Sequence, residues 1–415
     1  MKNKNITFQN LENLGIEVIK PLIASMGIYL VKNHNKNLKF AGLTRIKGVD
    51  KALKNESLTL RNLPSESLPN DTFYPDQWSL NSNEPGEIKV REAWKKTTGG
   101  QTPSGQDIVV AIVDSGFDHQ HADLKKNLWT NVDEIPGNGI DDDGNGYIDD
   151  THGWNAYLSN GNIKSSDHGS HVGGIIGAKG NNDLGITGLN WDVSLMPVSA
   201  SSSKTSVILE GYGYVLKQKK LWLETNGKKG ANVVVTNSSF GVDYADCSSE
   251  KYSLWNDIYN EMGKHGILSV AATANSNVDI DQVGDVPTGC SSDYIISVTN
   301  LTRKNTLSRY AGYGQESIDL AAPGSEIYSS IAGNDYDYMS GTSMATPHVA
   351  GAIALGHSYQ KLSFEKRSQK FPGKNALKMK ESLLESIDKV SDLKGKIKTE
   401  GKLNLSRYLD SIHSL

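Results

Sequence analysis

The sequence predicts an α/β fold built on a largely parallel sheet. Five continuous apolar runs, "DIVVAIV", "VSLMPV", "ANVVVTNSS", "GILSVAAT" and "YIISVT", have the character of strands covered on both faces. Longer amphipathic stretches such as "SVILEGYGYVLKQKKLWLE" lie between them, the alternation from which parallel sheets are made. The 415 residues are 37% hydrophobic and 22% charged, enough to bury a large core, which excludes disorder along the whole chain.

Taken in order, the chain begins with a segment of different composition. Residues 1–60 hold ten Lys and Arg against four Asp and Glu, a net charge of +6, so the rest carries −10 to reach the overall −4. "GIEVI" and "MGIYLV" read as strands, "RIKGVDKALKN" has helical content and "ESLTLRN" follows, together a small α+β domain. The proline-bearing stretch over residues 61–75 reads as a linker, and residues 76–415 as the α/β domain. A net charge of −4 with scattered aromatics gives no footprint for nucleic acid. No apolar run reaches the ~18 residues that span a bilayer, and "MKNKNITFQN" lacks the apolar centre of a secretory signal. Cys247 and Cys290 are too few for a disulfide scaffold and lie in no CxxC spacing. One bridge stays open, since an exported protein would keep it and a cytoplasmic one would not.

Three motifs stand at element boundaries. "VVAIVDSG" sets Asp114 directly after a buried strand, where open α/β sheets collect functional groups, although a turn aspartate fits too. "SSDHGSHVGGII" offers Asp167 as an N-cap, His168 at a helix start and His171 on the same face one turn on. As a zinc pair this HxxH is poor, because H-E-x-x-H needs spacing i, i+4 and a glutamate where Gly169 stands. "SGTSMATPHVAG" places Gly341 in a turn, Ser343 at another helix start and Pro347 near its first turn, so Ser343 is a helix cap or a nucleophile. The order Asp…His…Ser favours the second reading.

At these residues the sequence resembles the subtilisin-like serine proteases, whose blocks "IVDSGFDHQHADL", "HGSHVGG" and "GTSMATPHVAG" match. The resemblance runs from about residue 69 to the C-terminal end and implies a three-layer α/β/α subtilisin-like fold. It implies that Ser343 is the nucleophile, His168 its base and Asp114 the orienting carboxylate, with His171 left to packing; chain order is what distinguishes this triad from its convergent relatives. Asn275 would be an oxyanion donor, with Ala274 standing where many relatives have Gly. Ser239, Phe240 and Gly241 would pair with an extended peptide, and Ala272, Ala274 and Asp285 would bound the first specificity pocket, Asp285 favouring Lys or Arg before the cleaved bond. The expected substrates are proteins and peptides, the expected enzyme a monomeric serine endopeptidase; the rival is a non-catalytic binding protein on the same fold. The basic segment 1–60 sits where relatives carry a pro-segment that also acts as an intramolecular inhibitor, which points to a secreted zymogen.

The stretch "NGIDDDGNGYIDDTHGWN" predicts a structural calcium site. Asp141, Asp143, Asn145, the Tyr147 carbonyl and Asp149 fall at positions 1, 3, 5, 7 and 9 of an EF-hand-like loop, with Gly146 at the sharp turn and His152 in place of the bidentate glutamate. The resemblance implies a second calcium site at Asp123, Asn181 and Asn182.

Overall fold

The computed structural model describes residues 2–3, 8–23, 28–47, 49–52, 68–81, 83–201 and 204–415. They form two units, residues 1–65 and 66–415.

The first unit is a four-stranded antiparallel sheet of β1 (Lys2–Asn3), β2 (Ile16–Ile23), β3 (Ile28–Asn33) and β4 (Val49–Lys51), in the order β2-β3-β1-β4. Leu11, Ile16, Leu43 and Val49 make its core. The helical content expected from "RIKGVDKALKN" is replaced by β4, because Val49 reaches that core and its strand pairs with β1, a partner far away in sequence. "ESLTLRN" and residues 61–67 of the expected linker lie outside the described residues. Residues 68–75 pack on the second unit instead of leading to it: Tyr74 is buried and the Phe73 N–H donates to the Gly185 carbonyl at 2.6 Å.

The second unit is organised by a nine-stranded sheet. Its strands are β5 (Val109–Asp114), β6 (Trp154–Asn155), β7 (Ser194–Ser199) and β8 (Val233–Ser238). A two-strand ribbon pairs β9 (Val242–Asp243) with β11 (Asp285–Val286), and between them in sequence runs β10 (Leu268–Ala272) of the main sheet. Then come β12 (Ile295–Leu301) and β13 (Leu320–Pro323), a hairpin of β14 (Ile327–Ile331) and β15 (Asp335–Met339), and the edge strands β16 (Asp388–Lys389) and β17 (Gly401–Lys402). The sheet order is β16-β17-β13-β12-β10-β8-β5-β7-β6, with every neighbouring pair parallel except β16–β17. All five apolar runs are strands of this sheet.

Alternate residues of β5 show why those runs lack a polar face. Val110 and Ile112 join one core with the helices Asp167–Gly177 and Thr342–Tyr359, while Val109, Ala111 and Val113 join another with Thr205–Glu224 and Ser253–Lys264. The sheet is thus the middle of three layers. Cys247 and Cys290 are joined by a disulfide. Among the described residues no helix is long and apolar enough to cross a membrane.

Candidate active site

Parallel register brings the functional groups of three neighbouring strands to one edge. Val113 of β5 stands beside Ser238 of β8, and Ser238 beside Ala271 of β10. The next residues, Asp114, Ser239 and Ala272, therefore leave the sheet side by side, at the carboxyl ends where strand amides and carbonyls run out of partners.

Asp114 is 2% exposed. Its Oδ1 accepts the Ser115 N–H at 2.7 Å and the Ser115 hydroxyl at 3.1 Å, and both carboxylate oxygens face His168 Nδ1, at 2.9 and 3.0 Å. A carboxylate only accepts, so Nδ1 carries the proton and Nε2 is left as a base. The His168 side chain keeps 37% exposure, open to an incoming molecule on that side. Burial alone would lower its pKa; the hydrogen bond and charge of Asp114 outweigh that effect and raise it above the ordinary value. His168 occupies the second position of its helix, where Ser166 is the N-cap rather than Asp167, whose carboxylate instead accepts the Ala332 N–H at 3.1 Å. His171 is fully buried, its Nε2 donating to the carbonyls of Ile327 and Asp337, and burial pushes its pKa down to about 4. It pins the helix to the β14–β15 hairpin as a neutral side chain.

Ser343 is the second residue of the helix Thr342–Tyr359, so its N–H has no acceptor within the helix. Its hydroxyl donates to the Ser239 carbonyl at 3.2 Å rather than to His168, and the Ser239 hydroxyl donates to the Ser343 carbonyl at 2.9 Å. Asn275 is oriented by the same helix: its Oδ1 accepts the Thr342 N–H at 2.9 Å, while the Thr342 hydroxyl donates to the Thr273 carbonyl at 2.6 Å. The N–H requires the oxygen on that side, which turns the Nδ2 donors the other way, unpartnered among the described residues. Gly341 is extended rather than in a turn; a Cβ there would press on Asn275 Oδ1 at 3.3 Å, so close approach is the reason for glycine.

Behind this edge, Ala272 and Ala274 are buried, and Phe240 packs on Trp255 with ring centroids 6.5 Å apart. A Cβ on Gly241 would meet the Val286 carbonyl at 2.8 Å and Asp285 Oδ1 at 3.5 Å. Asp285 is 1% exposed. Thr273 and Thr288 donate hydroxyls to its Oδ2, whereas Oδ1 is buried without a well-aligned hydrogen bond among the described residues. Burial pushes its pKa up to about 6 against the two threonines and the nearby Ala274 N–H, with Asp243 across the β9–β11 pair adding repulsion.

The acidic loop brings Asp141 and Asp143 together with Glu134, a residue the sequence reading missed; their carboxylate oxygens lie within 4.8 Å of one another. Glu134 is held by the N–H groups of Asp142, Asp143 and Asp149. The Asp149 carboxylate turns to the N–H groups of Asn138 and Gly139, and Asn145 Oδ1 accepts the Tyr147 N–H. The Tyr147 ring stacks edge-on with Trp154 and Tyr214. Near the second expected site, Asn182 Nδ2 donates to Asp123 at 2.9 Å, and the N–H groups of Asn181 and Asn182 donate to Asp71, also missed. Asp123 is buried with its pKa pushed up to about 6 by that burial.

Comparison with known proteins gives these residues a context. The subtilase family model matches residues 105–396. Subtilisin-like protease 1 of Plasmodium berghei is 31% identical over 323 residues, 73% of this chain and 50% of that protein. The major intracellular serine protease of Bacillus subtilis is 30% identical over 285 residues, 68% of this chain and 76% of that protein. The chain thus spans about half the length of the Plasmodium relative. A solved protease from Pseudoalteromonas arctica superposes with a TM-score of 0.60 at 24% identity, over 83% of this chain and 99% of that one, a likeness of fold.

Proposed function

The chain belongs to the subtilase family, and from that premise we propose that it is a serine endopeptidase with Ser343 as nucleophile, His168 as general base and Asp114 as the carboxylate that orients it. The observation that carries this reading is the double contact of Asp114 with His168 Nδ1, which leaves Nε2 free to take a proton. Ser343 Oγ attacks the scissile carbonyl as its proton passes to Nε2. The tetrahedral oxyanion receives hydrogen bonds from the Ser343 N–H and from Asn275 Nδ2, donors already oriented before substrate arrives. Collapse breaks the C–N bond, His168 returns the proton to the leaving amine, and water then hydrolyses the acyl-enzyme by the same base. To begin, the Ser343 hydroxyl must rotate away from the Ser239 carbonyl, giving up one neutral hydrogen bond worth about 1 kcal/mol, a small cost beside the barrier of the reaction. Ser239, Phe240 and Gly241 offer backbone groups for an added substrate strand.

Calcium fits the acidic loop by donor chemistry. Glu134, Asp141 and Asp143 present hard oxygens so close together that their charges repel unless a cation intervenes. These residues would hold the ion, with Asn145, Tyr147 and Asp149 shaping the loop, and bound calcium would supply neutralisation and stability rather than chemistry. At about a thousand times its Kd a ligand adds about 4 kcal/mol by mass action, so chelation is expected to lower Tm by roughly 5 °C. Calorimetric scans with calcium and with chelator check it; identical Tm values would remove calcium from the account.

Residues 1–60 are read as a pro-segment that blocks the site until cleaved, a role their +6 charge suits against a −10 body. The Cys247–Cys290 bond supports secretion into an oxidising compartment. One experiment tests activity and processing together. Labelling the full chain with a fluorophosphonate is expected to give an adduct on Ser343, in a species whose N-terminus begins between residues 61 and 75. No adduct on folded, calcium-loaded protein lacking residues 1–60 would leave a non-catalytic binding protein, and a labelled chain still starting at residue 1 would overturn processing.

A further inference from the structure

Asn275 and Gly341 also line a cavity of ≈ 690 Å³ whose wall includes Arg303, Lys304 and Glu326. Its volume lies within the ~300–1,000 Å³ of ligand-binding clefts. None of the residues assigned to the acyl side borders it; Asn275 and Gly341, next to Ser343, are the shared boundary. For a peptide whose scissile carbonyl sits at Ser343, with its acyl half along Ser239–Gly241, this cavity is the space bordering Asn275 and Gly341 that is left to the leaving half.

The wall of this cavity carries an uncompensated charge. Arg303 is half-buried, makes no ion pair among the described residues, and its Nε is buried without a hydrogen-bond partner. Its guanidinium lies over the ring of Trp78, 5.5 Å from the centroid, a contact that orients the cation without neutralising it. Trp78 is itself fixed by donating Nε1 to the carbonyls of Ser325 and Glu326. The backbone beneath Arg303 is equally fixed: the Gly86 N–H donates to the Arg303 carbonyl at 3.1 Å, and a Cβ at Gly86 would strike the Thr302 carbonyl at 2.5 Å. Lys304 adds a second cation, while Glu326 is the one carboxylate in the wall and is exposed and well hydrated. The desolvated, oriented, partnerless charge is positive.

Resting on the proteolytic reading, we propose that this cavity is the leaving-group subsite and that Arg303, aided by Lys304, selects a carboxylate there. That carboxylate is either an Asp or Glu side chain shortly after the cleaved bond or the free C-terminus of a short leaving fragment. A planar guanidinium over an aromatic ring offers a forked donor that suits a carboxylate better than a point charge would.

Quenched fluorogenic peptides with one common acyl half test it. One arm places Glu or Gln at the first, second or third residue after the cleaved bond in C-terminally amidated peptides; the other compares free acid with amide in a neutral peptide having a two-residue leaving fragment. The expected result is a kcat/KM ratio of about tenfold or more in favour of the carboxylate in at least one arm, falling with added salt. In Arg303→Gln the ratio should drop to about one while the neutral peptide is still cleaved, and Arg303→Lys should restore part of it. A ratio near one in the parent enzyme, or one unchanged in Arg303→Gln, overturns the inference, as does an equal loss on every peptide, which marks a merely structural role. Failure to cleave even the neutral peptide, with Ser343 unlabelled by fluorophosphonate, would instead sink the proteolytic reading on which this one rests.

Discussion

Replacing Ser343 by alanine is expected to lower kcat by on the order of 10⁶-fold, the size established for the nucleophile of subtilisin itself rather than one derived from this geometry. The loss should appear in kcat, with Tm nearly unchanged, because the hydroxyl makes a single neutral hydrogen bond, to the Ser239 carbonyl. Asp114→Asn gives a sharper check on how His168 is held. The Ser115 N–H donates to Asp114 Oδ1, so an asparagine would keep its oxygen there and set an amide N–H in place of Oδ2, 3.0 Å from His168 Nδ1. That donor favours the imidazole tautomer with its proton on Nε2, where a base is needed, and kcat should fall by about 10⁴-fold, the size known for the same change in a convergent triad. Single-turnover kinetics on a fluorogenic peptide measure both. A Ser343→Ala enzyme within tenfold of the parent would end the triad reading.

Asp285→Asn is expected to abolish a preference for Lys or Arg before the cleaved bond that, in the parent enzyme, should reach about a hundredfold over Leu. The basis is the buried Asp285 carboxylate behind Gly241, whose charge a substrate cation entering beside Gly241 would offset. Leaving one member of a buried charge pair alone costs about 2–5 kcal/mol, at least a thirtyfold effect. pH supplies an independent test. The attraction requires the ionised carboxylate, whose pKa is pushed up to about 6, so the Lys-to-Leu ratio of kcat/KM should hold above that pH and fade below it. His168 also protonates as pH falls, but it affects both peptides alike and cancels in the ratio. Equal or faster cleavage after Leu or Phe at pH 8 would overturn the assignment.

Asp114, His168 and Ser343 were legible because each follows local punctuation: the end of an apolar run, a polar step into a helix, a glycine before one. The double contact between Asp114 and His168 was not, since it joins residues 54 apart. Glu134 escaped notice for a related reason. It lies outside the D-x-D-x-N spacing and reaches Asp141 and Asp143 only because the loop turns back through N–H groups at positions 142, 143 and 149. β4 was misread as helical because its pairing partner, β1, is remote in sequence and intrinsic propensity yields to such pairing. Asp285 could be located from the sequence, but its burial comes from a ribbon of two-residue strands too short to leave a pattern. Arg303 carries no motif at all; its significance is that it has no ion-pair partner among the described residues, which only three dimensions reveal.

The disulfide between Cys247 and Cys290 closes a covalent ring that contains Ala272, Ala274, Asn275 and Asp285. By loop-closure entropy, cross-linking 43 residues apart constrains the unfolded chain by about 4 kcal/mol. On the proteolytic reading proposed above, the ring has a second meaning. A single autolytic cut anywhere between its two cysteines would leave both fragments tethered, so the segment carrying Asn275 and Asp285 could be nicked without being shed.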